Sequence, residues 1–228
     1  MAFPLTHLLV AKSLLEIVSL PGIDSDLFLL GSIAPDGVHY RKGFVSAGMG
    51  NIGAQKKITH LCPVSNERWG QVTDNEGWEA CVSHFLRENP NDSLCTGYAV
   101  HILTDIYNNT GIWDNFRTKH PEEAAKGYAS DYYRDLKNID IQLYFKLYKP
   151  GGIEDSLRSA TARDLPGLVT AEEIHAIRDS LLYDQYSNVI MPTEKSYGYL
   201  TYGDVLAFIK DAAAYCAKVL STSVPKGA

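Results

Sequence analysis

Between Ser93 and Tyr107 the chain reads SLCTGYAVHILTDIY, a strongly apolar stretch at helical spacing that Asn108-Asn109-Thr110-Gly111 brings to an end. Two titratable residues sit inside it, His101 and Asp105. Four residues apart on a helix, they share one face. An imidazole nitrogen and a carboxylate oxygen so placed can grip one divalent ion. Their neighbours Ala99, Val100, Ile102, Leu103 and Ile106 are apolar. Both groups are therefore costly in this helix unless they satisfy each other or a metal. For an isolated H-x-x-x-D pair, a buried His–Asp hydrogen bond is the simpler reading.

The rest of the chain reads as helices with few strand signals. Helices are expected over 5–19, ended by Pro21-Gly22, over 24–30, as one turn over 57–61, and over 74–88 before Asn89-Pro90. Residues 37–56 are Gly-rich and read as loop. A long helix is expected from Pro121 to Tyr148, although its end, IQLYFKLY, also alternates like a strand. Thr170 with Glu173 forms a capping box, and Thr201 with Asp204 a weaker version; these start the last two helices, with Pro192 in the linker between them. The fold class is thus all-α, a single multi-helix domain of seven or eight helices over 1–220 with a flexible tail at 221–228. At 228 residues and 45% hydrophobic composition, such a chain needs neither disulfide nor metal merely to fold.

A net charge of −6 speaks against a duplex nucleic-acid partner, which wants a basic surface. It leaves room for metal ions set against a phosphate. Cys62, Cys81, Cys95 and Cys216 form no C-x-x-C pair and read as isolated thiols. The N-terminal stretch lacks a basic segment, and Lys12 and Glu16 interrupt its apolar run. It reads as a first amphipathic helix rather than a signal peptide or membrane span, so the expected setting is cytoplasmic, with no stable membrane insertion. The sequence carries no signal of oligomeric state.

Three further positions bear on the His101–Asp105 pair. His7 lies mid-helix in THLLVAKSLL, Asp36 follows Ala34-Pro35 after an apolar run, and His60 sits in KKITHLCP. Singly, each has an ordinary explanation: a core histidine, a turn or N-cap aspartate, another core histidine. Together, His7, Asp36, His60, His101 and Asp105 are all embedded in apolar sequence. Imidazole and carboxylate without thiolate suit zinc, or failing that manganese or iron. Two or more such ions side by side are a standard device for phosphate ester hydrolysis.

The wording of these segments resembles the zinc-dependent phospholipase C family, and more closely its bacterial metal-dependent hydrolase branch, related also to the fungal single-strand nucleases. The resemblance rests on THLLVAKSLL (6–15), FLLGSIAPD (28–36), KITHLCP (57–63), GYAVHILTDIY (97–107) and YASDYYRDLKNIDIQLY (128–144), and more loosely on YLTYGDVLAFI (199–209). It implies the helical fold of those enzymes and a site of two or three zinc ions, with Mn2+ or Fe2+ as substitutes. Asp36, His60, His101 and Asp105 would bind one ion, and Asp105 would bridge to a second held by His7. The N-terminal amine of the secreted enzymes, on a tryptophan, has no counterpart in Met1-Ala2-Phe3-Pro4. The third site is expected to be absent or remodelled: its first histidine falls near Gly111, His120 is expected in solvent, and His175 and Asp179 lie on a charged helix. Asp131 matches a recurring acid of the bacterial relatives; Asp135 and Asp140 are weaker candidates.

The resulting expectation is a metal-dependent phosphoesterase, foremost a phosphodiesterase, acting on a small-molecule or lipid phosphoester. Asp36 or Asp131 would take the proton from the attacking water. Arg41 and Lys42 are read first as a solvated loop pair and second as phosphate contacts. The alternative class is a binding or regulatory protein in which the metals are structural staples.

Overall fold

The computed structural model describes residues 3–44, 54–63, 72–192 and 197–223. Among these, eleven α-helices and a few 3-10 and π-helical turns carry the chain; the one β-bridge pairs Leu165 with Val169. The helices are α1 (Pro4–Ile17), α2 (Ser25–Gly31), α3 (Ala54–Thr59), α4 (Asn75–Glu88), α5 (Ser93–Thr110), α6 (Ile112–Lys119), α7 (Pro121–Ala125), α8 (Asp131–Leu143), α9 (Ile153–Ser159), α10 (Ala171–Asp179) and α11 (Tyr202–Ser223). A single apolar core runs from Leu5 to Leu220, so the chain is one all-α domain. No helix among the described residues is long and apolar enough to cross a membrane.

Helix α5 is the axis of the fold. Every residue from Ser93 to Ile106 is buried, and α1, α2, α4 and α11 pack around it. The Asp92 side chain caps its start, accepting from the Cys95 N–H at 2.9 Å. Helix α2 comes closest, because glycine faces glycine at the crossing. A Cβ on Gly97 would lie 2.0 Å from the Phe28 carbonyl oxygen, and one on Gly31 2.2 Å from that of Leu94. The backbone contact fixes the end of α2, and with it the residues that follow, against α5.

Several boundaries differ from the sequence reading. The expected loop over 37–56 holds a 3-10 helix at Ala34–Tyr40 and the start of α3; its 45–53 portion lies outside the described residues. The expected long helix 121–148 breaks at Gly127, with φ of 54°, and restarts at Ser130, whose hydroxyl accepts from the Tyr133 N–H. Its end is a π-helical turn, Tyr144–Tyr148, not a strand. Helices α6 and α9 were not expected. The final helix runs to Ser223, beyond the expected limit of 220, and 224–228 lie outside the described residues. Both capping motifs form as expected. Thr170 accepts from the Glu173 N–H, and Glu173 accepts from the Thr170 N–H at 3.0 Å. Thr201 and Asp204 make the same reciprocal pair.

Two carboxylates considered as ligands serve the fold instead. Asp135 accepts three backbone N–H groups, from Tyr197 at 2.6 Å, Tyr199 at 2.9 Å and Leu200 at 3.2 Å, and so anchors the entry to α11. Asp140 accepts from the Tyr186 hydroxyl at 2.5 Å, while its other oxygen is buried without a hydrogen-bond partner. Burial pushes its carboxyl from the ordinary 3.8 up to about 7, against the opposing Tyr186 bond. The native state thus holds this proton more tightly than the unfolded chain. Its contribution is full below pH 3.8, declines as pH rises, and is lost above about 7. Asp140→Asn keeps the acceptor and removes the charge. Urea midpoints should show it more stable than the parent at pH 8, by about 2–4 kcal/mol, and close to the parent near pH 4. Equal midpoints at pH 8 would contradict the assignment.

Candidate metal centre

The five residues singled out in the sequence come together. His7 is on α1, Asp36 on the 3-10 helix after α2, His60 just beyond α3, and His101 and Asp105 on α5. All are essentially inaccessible to solvent. His7 Nε2 lies 3.7 Å from Asp105 Oδ1, and His101 Nε2 and His60 Nε2 each lie 3.9 Å from Asp105 Oδ2. His60 Nε2 is 3.5 Å from Asp36 Oδ1. The His7 and His101 rings stack at 3.7 Å, and His60 meets His101 edge-on at 5.2 Å.

These separations are too long for a His101–Asp105 hydrogen bond, which disposes of the simpler reading of the H-x-x-x-D pair. They suit a shared ion. One ligand atom from each of His7, His101 and Asp105 falls within 4.8 Å of the others, and so does one from each of Asp36, His60 and His101. Both nitrogens of His7, Nε2 of His101 and both oxygens of Asp105 are buried with no hydrogen-bond partner. So many lone pairs facing one another in an apolar interior are costly without a cation. The donors are nitrogen and oxygen only, and the residues fit a zinc-type ion.

Backbone contacts orient two of the rings. His101 Nδ1 meets the Ser32 carbonyl at 2.8 Å. A carbonyl only accepts, so Nδ1 carries the hydrogen and Nε2 offers its lone pair inward. That single lone pair serves one ion, although His101 belongs to both groups. His60 Nδ1 faces the Lys56 carbonyl at 3.0 Å, which turns its Nε2 inward in the same way. The chain around His60 is held by the Trp78 indole, donating to the His60 carbonyl at 2.7 Å, and by the Tyr98 hydroxyl, donating to that of Thr59.

The electrostatics favour the ligand forms of His7, His60 and Asp36, and oppose that of Asp105 where no cation faces it. Burial, reinforced by His101, holds His7 well below its usual pKa, and burial with the Lys56 ammonium lowers His60 to about 3, so both rings are neutral. Burial raises the Asp105 carboxyl, with His101 opposing. Burial alone would raise Asp36 as well, but the Lys56 ammonium, with His60 beside it, outweighs burial and holds that carboxyl well below the usual range.

Lys56 and His39 escaped the sequence reading. Lys56 Nζ is 3.0 Å from Asp36 Oδ1 and 3.2 Å from His39 Nε2. The available signal was spacing: Lys56 precedes His60 by four residues, on the same helical face.

Other expected residues lie apart from these two groups. Asp131 opens α8, its carboxylate 2.8 Å from Arg134 and partly exposed, its N–H bonded to Glu123. Arg41 is neither solvated nor placed for phosphate. Its guanidinium grips Glu173 at 2.6 and 2.8 Å and the Leu168 carbonyl at 2.6 Å. Lys42 stays on the loop beyond it. His120 is exposed, as expected, and Gly111 caps α5. His175 Nε2 accepts from the Ala162 N–H at 3.1 Å, and Asp179 pairs with Arg178, so their i,i+4 spacing makes no metal site. Met1 and Ala2 lie outside the described residues. No family model, curated protein or solved structure matches this chain, so the buried His/Asp centre itself is the ground for its function.

Proposed function

We propose that this protein is a metal-dependent hydrolase of phosphoesters, foremost phosphodiesters, with the helical architecture of the phospholipase C and single-strand nuclease type. One observation carries the reading: five side chains from four separate segments bring buried nitrogen and oxygen donors, several without a hydrogen-bond partner, into one place. The order of those residues along the chain agrees with the resemblance in the sequence. Asp36, His60, His101 and Asp105 would hold one ion, and His7 with Asp105 a second.

A divalent ion there supplies Lewis acidity and makes water a nucleophile near neutral pH. The protein supplies the rest. The Ser32 and Lys56 carbonyls fix the inward nitrogens of His101 and His60, so the donors are preorganised. Burial keeps the His7 and His60 rings neutral and excludes bulk water, which strengthens every charge interaction with a phosphoryl group. Of the two carboxylates expected to accept the proton from water, Asp36 lies in the centre and Asp131 is engaged with Arg134. The reading therefore assigns that proton to Asp36.

The full burial of all five side chains favours a second reading, a closed structural metal site in a binding protein. Metal analysis of the purified protein, with turnover of bis-p-nitrophenyl phosphate and a wider phosphoester panel, separates the two. Bound metal with chelator-sensitive turnover is expected. Bound metal without turnover across the panel selects the structural reading, and protein that binds no divalent metal sinks both.

A further inference from the structure

Lys56 is 7% exposed, an uncommon state for a lysine, and its ammonium lies against Asp36 Oδ1. That same oxygen is the one nearest His60 Nε2, so it is the atom an ion held by the Asp36–His60–His101 group would take. An ammonium and a divalent cation cannot share it closely in a low-dielectric interior without strong repulsion. Nζ also lies 3.2 Å from His39 Nε2, whose side chain is 37% exposed and marks the side of the centre that opens towards solvent.

We propose that Lys56 exchanges partners when the centre loads. In the metal-free protein its ammonium neutralises Asp36. As a divalent ion takes Asp36 Oδ1, the ammonium turns to the His39 side and receives an anionic oxygen of the substrate. Lys56 is then both a competitor for the metal and the group that reads the phosphoryl charge. The inference rests on the metal-centre reading above and adds to it a named contact for the anion.

The exchange makes two predictions of opposite sign for one substitution. In Lys56→Met the competing cation is gone, so affinity for Zn2+ or Mn2+, titrated on the full chain against a chromophoric chelator, should rise about tenfold or more. Affinity of the metal-loaded protein for inorganic phosphate, measured by calorimetry, should fall about tenfold. Lys56→Arg keeps a cation and should stay within about threefold of wild type for the metal. Lys56→Gln gives the same paired readings if Lys56→Met does not fold. A merely structural lysine would weaken metal and phosphate together. Unchanged or weaker metal binding in Lys56→Met and Lys56→Gln overturns the proposal. So does unchanged phosphate binding, or Lys56→Arg behaving like Lys56→Met. These failures are distinct from failure of the metal reading, in which wild type itself shows no His101-dependent metal binding.

Discussion

Replacing His101 with alanine should strip the centre of metal and lower phosphodiester turnover by about a thousandfold or more. Loss of a partner merely behind a ligand costs roughly 10–100-fold in affinity or activity, and His101 is the ligand itself. Its inward lone pair would serve the ion held by Asp36, His60 and Asp105, and the second ion, left with His7 and Asp105, would lose the neighbour whose ring stacks on His7. Metal content by mass spectrometry reads the effect directly. A second reading is thermal: added Zn2+ should raise the Tm of wild type and leave that of His101→Ala unchanged. The apoprotein loses the stack on His7 and the bond to the Ser32 carbonyl, so some destabilisation, of about 1–3 kcal/mol, is expected as well. His175→Ala is the control, because that ring serves only the Ala162 N–H, and it should retain full metal. His101→Ala with undiminished metal would remove the basis of the proposed function.

The largest stability effect should come from a single methyl group far from any donor atom. Gly97→Ala places a Cβ 2.0 Å from the Phe28 carbonyl oxygen and 3.0 Å from the Gly31 Cα. Both obstacles are backbone, so no side chain can swing aside, and α2 must move off α5. A cost of about 3–5 kcal/mol in denaturant melts is expected, at the upper end for overpacking. Gly22→Ala offers a contrast: its φ of +77° is unfavourable for alanine, but nothing lies within 4 Å of the added carbon, so about 1 kcal/mol is expected. The crossing also has a functional reading. Ser32 follows Gly31 directly, and its carbonyl orients His101, so displacing α2 should weaken metal binding in step with stability. A Gly97→Ala protein within about 1 kcal/mol of wild type would show that the crossing has more give than its geometry allows.

Much of this was legible from residue patterns, for identifiable reasons. Helix α5 announced itself by continuous apolar spacing and a polar stop. Asp24 and Thr170 cap α2 and α10, beginning both helices where the sequence placed them. The five ligand candidates stood out because titratable groups in apolar helices demand an explanation. What escaped lacked such contrast. Helix α9 begins after Gly152, which offers no side-chain cap. The π-helical turns at Tyr144–Tyr148 and Ser180–Asp184 widen the backbone ladder without a residue type that marks them, and the period-two pattern of IQLYFKLY imitates a strand. Nothing in the sequence marks Lys56: lysine ordinarily faces solvent, and the turn expected over 57–61 begins one residue after it. Arg41 reads from sequence as a solvated or phosphate-facing group, since its partner Glu173 lies 132 residues away and no local pattern joins them.

The two sides of the centre differ in how long they can be expected to last. Helix α5 has no solvent face over His101 and Asp105, so its backbone bonds are expected to be among the last to open. Facing it is the six-residue α3, with His60 tethered at its end through the Trp78 and Tyr98 bonds to backbone carbonyls. A segment so short can yield locally while the rest of the fold stays intact. The residence time of an ion held there would then follow α3 and its tethers more than the donor set, and loosening either tether should speed metal loss without touching a ligand.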